Sequence, residues 1–335
     1  MRRSNVNPLP KSPRWQHSLR DAVRDVHELL EILELNKLDA NWLQPGAGEF
    51  PVLIPRSFIA RMRKGDLNDP LLRQVLPDRD ERLENHEFTR DPLREIALAQ
   101  NGVIEKYPSR ALLITTSVCP VHCRYCFRRH FPYETHRASR NNWADALTAL
   151  RSSSGIREVI LSGGDPLSLS NLRLRQFISE LETVKSVTTV RIHSRFPIVV
   201  PERVDRDLLA LLQETRLTTV LVVHCNHANE IDESVRRALQ QVRATDTSLL
   251  NQSVLLRGIN DDVACLESLS YRLFDAGVLP YYLHQLDRVA GAARYQVRDT
   301  EAVKLIAGLR KRVPGYLVPR LVQEVPGELS KTTLA

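Results

Sequence analysis

The chain has 335 residues, a formal net charge of +7, a pI near 9.3 and 42% hydrophobic residues. The apolar runs are too short to cross a bilayer and the basic N-terminus lacks the apolar stretch of a secretory signal, so neither a membrane partner nor export is predicted. Basic residues are spread along the chain with few aromatic residues between them. We interpret the charge as a solvated surface rather than a nucleic-acid site, with a docking face for an acidic protein as the alternative.

Residues 1–104 predict a mostly helical N-terminal region whose function the sequence leaves unassigned. Trp15–Leu35 has the apolar spacing of one amphipathic helix. Ser57 is expected to cap a second helix. Leu76–Arg94 is polar and contains prolines, which predicts a connecting segment.

Residues 105–315 predict a core of alternating strands and helices, followed by a C-terminal segment over 316–335. Repeated β-then-α units imply parallel strands joined by right-handed crossovers, in a partial barrel or an open doubly wound α/β sheet. The predicted strands are Ala111–Ser117, Glu158–Leu161, Thr189–His193, Thr219–His224, Leu250–Leu256 and Pro280–Leu283. The predicted helices are Asn142–Ser152, Asn171–Val184, Val204–Glu214, Ser234–Arg243 and Asp262–Ala276.

Each predicted strand ends in residues that can bind or react. Chemistry collected at the C-terminal rim of parallel strands is typical of βα-barrel enzymes, so this placement favours a partial (β/α)6 barrel. In chain order these residues are Cys119, Ser162 to Asp165, His193 to Arg195, His224 to His227, Asn251 and Gln252 with Arg257, and His284 to Asp287.

Three of the five cysteines lie within eight residues, at the spacing C-x3-C-x2-C. These are Cys119, Cys123 and Cys126. A structural zinc site would need a fourth ligand, which His122 or Cys225 could supply. An iron–sulfur cluster held by three cysteines instead keeps one iron open for a small molecule. The remaining Cys225 and Cys265 are interpreted as reduced thiols, which together with a cluster precursor indicates the cytoplasm.

Two further motifs suggest ligand contacts. In Ser162–Pro166 the glycines either form a tight turn or place bare backbone against a ligand, and Asp165 either joins that contact or orients the turn. Near the end, Tyr316–Val325 is apolar and β-like, so it is expected to return to the barrel before Pro326-Gly327 turns. A lysine delivered there, Lys331, can hold pyridoxal phosphate as a Schiff base.

The segment His224–His227 resembles a metal-ligand cluster. Neighbours on a strand face opposite ways, however, so these side chains are not expected to converge on one ion. We expect one face of this segment to contact a cofactor while the other packs in the core.

Together these segments resemble lysine 2,3-aminomutase, a radical S-adenosylmethionine enzyme that also uses pyridoxal phosphate. The resemblance covers residues from about Asp91 to Lys331 and implies a partial barrel of the radical S-adenosylmethionine type. Its segments are Tyr107–Arg110, the cysteine motif with Arg128 and Arg129, Ser162–Pro166, Arg191–Arg195, His224–Glu230, Asn251–Asn260 and Pro280–Leu283.

The resemblance implies a role for each matching residue. The three cysteines would ligate a [4Fe–4S] cluster whose open iron chelates S-adenosylmethionine, and Lys331 would hold pyridoxal phosphate with Arg110 near its phosphate. Arg128 would pair with the substrate carboxylate, and Asp287 and Glu324 with the distal ammonium of L-lysine. The remaining cofactor-binding residues would be Ser162, Gly163, Gly164, Asp165, His224 and Gln252.

Three departures from the family pattern favour one branch of it. Glu324 stands where an aspartate is usual, Gly327–Ser330 replaces a run of glycines, and the chain stops four residues after Lys331. These features are similar to the branch that makes (R)-β-lysine for modification of translation elongation factor P. That branch implies a functional link to elongation factor P and its lysyl ligase, and an electron donor such as flavodoxin or ferredoxin.

Three alternatives stay open at this point. An aminomutase of this family could instead make β-lysine for catabolism or as an osmolyte. A radical S-adenosylmethionine enzyme without pyridoxal phosphate would explain the cysteines but not Arg128, Asp287 and Lys331. A zinc-stabilised binding module would explain neither Lys331 nor the Ser162–Pro166 turn.

Overall fold

The computed structural model describes residues 14–35, 50–99, 102–136, 143–153 and 155–335. Nine strands form one sheet in which every strand pairs with the next along the chain. They are β1 Val103–Tyr107, β2 Arg110–Thr116, β3 Glu158–Gly163, β4 Thr189–Ser194, β5 Thr218–Val223, β6 Ser248–Val254, β7 Leu279–His284, β8 Arg320–Gln323 and β9 Thr332–Thr333. The helices are α1 Arg14–Arg20, α2 Val26–Ile32, α3 Arg56–Ile59, α4 Glu95–Leu98, α5 Tyr133–His136, α6 Ala144–Ser152, α7 Asn171–Glu182, α8 Phe196–Val199, α9 Arg206–Glu214, α10 Glu233–Arg243, α11 Val263–Asp275 and α12 Asp299–Leu309.

Strands β2 to β8 are parallel, and the short β1 and β9 add antiparallel strands at the two ends. At least one helix lies between each pair of consecutive parallel strands, which gives six βα units followed by β8. This confirms the predicted α/β partial barrel. All six predicted strands and all five predicted helices of the core are present, with ends that differ by a few residues.

The sheet curves until its two ends approach each other. The Tyr107 hydroxyl at the end of β1 hydrogen-bonds to Glu324, which directly follows β8. Since β1 and β8 are far apart in strand order, this contact crosses the open side of the barrel. The curvature therefore encloses an interior toward which the ends of the strands direct their polar side chains.

The core lies between the sheet and the surrounding helices. Helix α7 buries Leu174, Phe177 and Leu181 at helical spacing, and Ser170 caps its first turn. Each fully buried side chain of this kind stabilises the fold by roughly 1.5–3 kcal/mol. Residues of the N-terminal region, such as Phe58, belong to the same apolar cluster as those of the barrel. Among the described residues, no helix is long and apolar enough for a bilayer crossing.

Two predictions for the N-terminal region are wrong. The single helix over Trp15–Leu35 is broken after α1, because Val23 pairs with Ile54 and the Asp25 side chain caps the start of α2. Ser57 does not cap α3, since its hydroxyl donates to the Val199 carbonyl at 2.6 Å. Strand β1 crosses the predicted boundary at residue 104, and the sequence did not reveal β1, β9 or α12.

Candidate active site

The barrel encloses a cavity of about 770 Å³. It is lined by residues from both ends of the sheet, from the cysteine loop and from the C-terminal segment. Every site residue predicted from the sequence is among them: Arg110, Cys119, Cys123, Cys126, Arg128, Ser162, Gly163, Gly164, Asp165, His224, Gln252, Asp287, Glu324 and Lys331. One site therefore contains all of these groups, and their individual roles stay predictions.

The N-terminal region holds the cysteine loop in place. The Arg124 amide donates to the Gln74 carbonyl at 2.9 Å and the His122 amide to the Leu53 carbonyl at 3.0 Å. The buried Glu81 carboxylate accepts from Arg124 Nε at 2.8 Å and from Arg129 at 2.8 Å. These contacts could not be predicted from the sequence, because Glu81 lies in a polar segment with the pattern of a connection.

The cysteine side chains are suited to an iron–sulfur cluster. Burial raises the pKa of the Cys126 thiol to about 11 and that of Cys119 well above its usual range, so both are protonated at neutral pH until metal displaces the protons. Among the described residues, no three Cys, His, Asp or Glu side chains are arranged around a single metal ion. The three thiols line one cavity, and the kind of metal group that they would hold stays a prediction.

The glycine turn after β3 packs against the cysteine loop. A Cβ atom on Gly164 would lie 2.6 Å from the Val118 carbonyl oxygen, and one on Gly163, with φ +112°, would lie 2.8 Å from that of Thr116. The Gly164 amide also donates to the Thr116 carbonyl at 2.7 Å. Both glycines are therefore needed for backbone contact with the segment that leads to the first cysteine.

Asp165 orients this turn. Its carboxylate accepts from the Ser194 hydroxyl at 2.8 Å and from the amides of Leu167 at 3.0 Å and Arg195 at 2.6 Å. Burial raises its pKa to about 6 even though these hydrogen bonds act in the opposite direction. With the Phe196 amide, four groups donate hydrogen bonds to this carboxylate. Of the two roles expected from the sequence, these bonds support the one in which Asp165 orients the turn.

Arg128 is buried in a fork with Glu95. Its Nε and one terminal nitrogen donate to the two carboxylate oxygens at 2.7 and 3.1 Å, and the other terminal nitrogen donates to Ser162 Oγ at 2.9 Å. Burial alone would lower the pKa of Arg128, but the Glu95 carboxylate raises it above its ordinary value. The guanidinium is thus permanently charged and held at the cavity wall by a glutamate that the sequence did not predict.

Lys331 lines the same cavity. Its ammonium is paired with Glu324, and it lies 6.0 Å from the centre of the Tyr282 ring. Two imidazoles, His193 and His284, have buried Nε2 atoms without a hydrogen-bond partner. Burial lowers the pKa of His284 to about 3 and that of His193 well below its usual range, so both rings are neutral. Neutral, unpartnered ring nitrogens at a cavity wall are suited to contact a ligand.

His224 is already hydrogen-bonded within the protein. Its Nε2 lies 2.8 Å from the Tyr125 hydroxyl, and a second bond joins the ring to the backbone of Gln252. Burial lowers its pKa well below the usual range. His227 instead caps a short 3-10 turn, and Cys225 is buried. His224 and His227 therefore make separate contacts within the protein.

Arg110 and Asp287 complete the predicted set of residues that line the cavity. Arg110 begins β2, and its guanidinium lies 4.9 Å from the centre of the Tyr107 ring. Asp287 follows β7 on the loop where a short parallel bridge joins Val289 to Thr89. Both side chains are half-buried, which leaves their charged ends close to solvent as well as to the cavity.

The chain is similar to a protein family and to several known proteins. Residues 113–262 match the Radical SAM superfamily. The chain is 45% identical to the L-lysine 2,3-aminomutase of Escherichia coli (strain K12), over 97% of this chain and 95% of that protein. It is 41% identical to the protein of the same name from Haemophilus influenzae, over 98% and 99%, and 33% identical to that from Clostridium subterminale, over 95% and 77%. A solved structure described as TYW1 with a lysine-pyruvate adduct bound is 14% identical with a TM-score of 0.41, over 61% of this chain and 74% of that chain.

Proposed function

The chain belongs to the lysine 2,3-aminomutase family of radical S-adenosylmethionine isomerases, and from this we propose that it converts L-lysine to (R)-β-lysine. One cavity brings together three thiols, a lysine, a paired arginine and two acidic side chains, and this observation carries the proposal. A zinc-stabilised binding module would need none of the last four.

The three cysteines would hold a [4Fe–4S] cluster, and the glycine turn with His224 and Gln252 would border its ligand S-adenosylmethionine. The thiols line the cavity beside the Gly163–Gly164 backbone, which Asp165 keeps rigid. When bound, the cluster would supply the electron for reductive cleavage of S-adenosylmethionine, while pyridoxal phosphate would carry the amino group as it moves from C2 to C3.

Lys331 would hold pyridoxal phosphate, and Arg110 would lie near its phosphate. The orphaned nitrogens of His193 and His284 lie in the wall of this part of the cavity and lack partners that a polar cofactor could supply. The Lys331 side chain is paired with Glu324, so this pair would separate when the amine reacts with the cofactor.

Arg128 would bind the substrate carboxylate, with Asp287 and Glu324 at the distal ammonium. The substrate carboxylate is the same chemical group as the Glu95 side chain, to which Arg128 donates two parallel hydrogen bonds in this structure. Substrate would therefore either displace Glu95 or use the remaining donors of Arg128. At the far end, Glu324 already binds an ammonium, that of Lys331, which is the same chemical group as the end of a lysine side chain.

We place the reaction in the cytoplasm, with (R)-β-lysine destined for translation elongation factor P through its lysyl ligase. Free cysteines at the site support a reducing compartment, because none of the five forms a disulfide. A protein such as flavodoxin or ferredoxin would deliver the single electron. The alternative destination, catabolism or osmolyte synthesis, uses the same chemistry.

The proposal is tested by anaerobic spectroscopy and product analysis. Purified protein should show an iron–sulfur absorption band and a pyridoxal phosphate band. Borohydride should remove the second band and leave the reduced cofactor attached to Lys331. Incubation with S-adenosylmethionine, a reductant and L-lysine should form β-lysine. Lys331→Ala should lose pyridoxal phosphate and activity while it retains iron and sulfide, and loss of both groups together would contradict the separate roles.

A second experiment separates the destinations. The product is supplied to elongation factor P together with its lysyl ligase, and the mass of the factor is measured. Addition of one β-lysyl group, in preference to a lysyl group, supports the translation role. Equal use of lysine and product by the ligase would favour a metabolic destination.

A further inference from the structure

A buried arginine contacts the sulfur of one predicted cluster ligand. One terminal nitrogen of Arg195, which follows β4, donates to Cys123 Sγ at 2.9 Å. The Arg195 side chain is 6% exposed, and none of the roles above uses its charge. We propose that Arg195 is a positioning residue that raises the reduction potential of the cluster and thereby sets how easily the enzyme is primed. The inference rests on the proposed function only in requiring that the cysteines bind a cluster.

The guanidinium is held in this position by residues from four parts of the chain. Its second terminal nitrogen donates to Gln74 Oε1 at 2.8 Å and to Glu230 Oε2 at 3.3 Å, and the first also contacts the Tyr125 hydroxyl. The ring of Phe58 lies 5.6 Å from its central carbon. Arg195 is therefore fixed before a cluster arrives, and its direction toward Cys123 does not depend on one.

Gln74 organises this network from the N-terminal region. Its side-chain oxygen accepts from Arg195 and from Asn226 Nδ2 at 3.0 Å, while its Nε2 donates to Glu230 Oε1 at 3.0 Å. Gln74 and Asn226 are fully buried, so water does not compete for these bonds. Glu230 contacts the second terminal nitrogen of Arg195, whereas the first donates to Cys123 Sγ, so the guanidinium is the charged group in contact with the sulfur.

The direction of the effect follows from electrostatics. The electron donor loses one electron and the cluster gains it, so the reduced cluster and its thiolates carry one more negative charge than the resting form. A nearby positive charge stabilises the more negative state, and burial keeps solvent from screening the attraction. A hydrogen bond to a ligand sulfur acts in the same direction. Arg195 therefore makes reduction easier for a low-potential one-electron donor.

The experiment compares three variants after anaerobic reconstitution with iron and sulfide. Arg195→Gln removes the charge, and Glu230→Gln removes the negative partner behind it. Arg203→Gln is the matched control, because Arg203 is also fully buried but donates to the backbone carbonyls of Leu167 and Leu169. Iron and sulfide per chain are measured first, and the midpoint potential is then determined by electron paramagnetic resonance during a redox titration without substrate.

Arg195→Gln is expected to shift the midpoint potential to a more negative value and Glu230→Gln to a more positive one, with Arg203→Gln unchanged. A full cluster content with a wild-type midpoint in Arg195→Gln would overturn the inference. If Arg195→Gln retains no cluster, the sign of the Glu230→Gln shift decides, and a negative or absent shift would overturn it. A wild-type chain that takes up no iron or sulfide would instead overturn the proposed function.

Discussion

Glu81→Gln should destabilise the protein through the cysteine loop. The side chains of Glu81, Arg124 and Arg129 are only 3–5% exposed, and one carboxylate serves both arginines. Burial would raise the pKa of Glu81, yet the two guanidinium groups lower it below its ordinary value, so the carboxylate is charged. A glutamine keeps one acceptor but leaves two buried cations without a counter-charge. Since breaking a buried ion pair costs about 3–5 kcal/mol, we expect a loss of about 3 kcal/mol.

Urea unfolding of the metal-free protein measures this loss, and iron retention after reconstitution reports on the loop itself. Glu87→Gln is the matched control, because Glu87 pairs with Arg288 at 3.1 Å on the surface, where their side chains are 62% and 46% exposed, respectively. Such a surface pair contributes about 0–1 kcal/mol. The reasoning is refuted if Glu81→Gln unfolds within about 1 kcal/mol of Glu87→Gln and binds iron as well as the wild type.

Three further changes test other parts of the site. Gly164→Ala should lower the free energy of unfolding by about 1–3 kcal/mol and reduce cluster uptake, because the added Cβ would meet the Val118 backbone. Gly155→Ala is the control, since its Cβ would have no atom within 4 Å, and it should leave the same unfolding and iron assays unchanged. Folding lowers the pKa of His284 from 6.5 to about 3, so between these pH values the ring is neutral in the folded protein and protonated in the unfolded chain. The contribution of His284 to the free energy of unfolding is therefore complete above pH 6.5 and is about 1.4 kcal/mol smaller at pH 5.5. His284→Phe should remove that part of the acid dependence of urea unfolding, and an unchanged pH profile would contradict it. Asp287→Ala should lower kcat/KM for lysine by about 10-fold to 100-fold relative to shorter amino acids, and unchanged discrimination would count against its role.

The barrel could be predicted because its signals are local. Core strands such as Glu158–Gly163 are short apolar runs followed by polar residues. Several of the helices between them have their own side-chain cap, as Ser170 caps α7. Helix α12 was not among the predicted elements, although Ala302, Ile306 and Leu309 have helical spacing. Its signal was present in the sequence.

The partners of the cavity residues could not be predicted, because they are set by tertiary contacts. Arg128 and Glu95 are 33 residues apart, and Arg195 and Gln74 are 121 residues apart. Nothing in the local sequence around Glu95 distinguishes it from a solvated surface glutamate. The spacing of the cysteines predicts which residues bind the cluster, but it does not show which charges surround them.

These unpredicted partners give the N-terminal region a physical role. Buried arginines lie on the cysteine loop and directly after β4, and a buried guanidinium without partners is costly. Glu81 and Glu95 supply the counter-charges, and Gln74 supplies a neutral acceptor for Arg195. Among the described residues, this neutral partner occurs at Arg195, which contacts the Cys123 sulfur. A second carboxylate in its place would weaken the positive charge beside the proposed cluster, so the glutamine at that position agrees with a tuning role for Arg195.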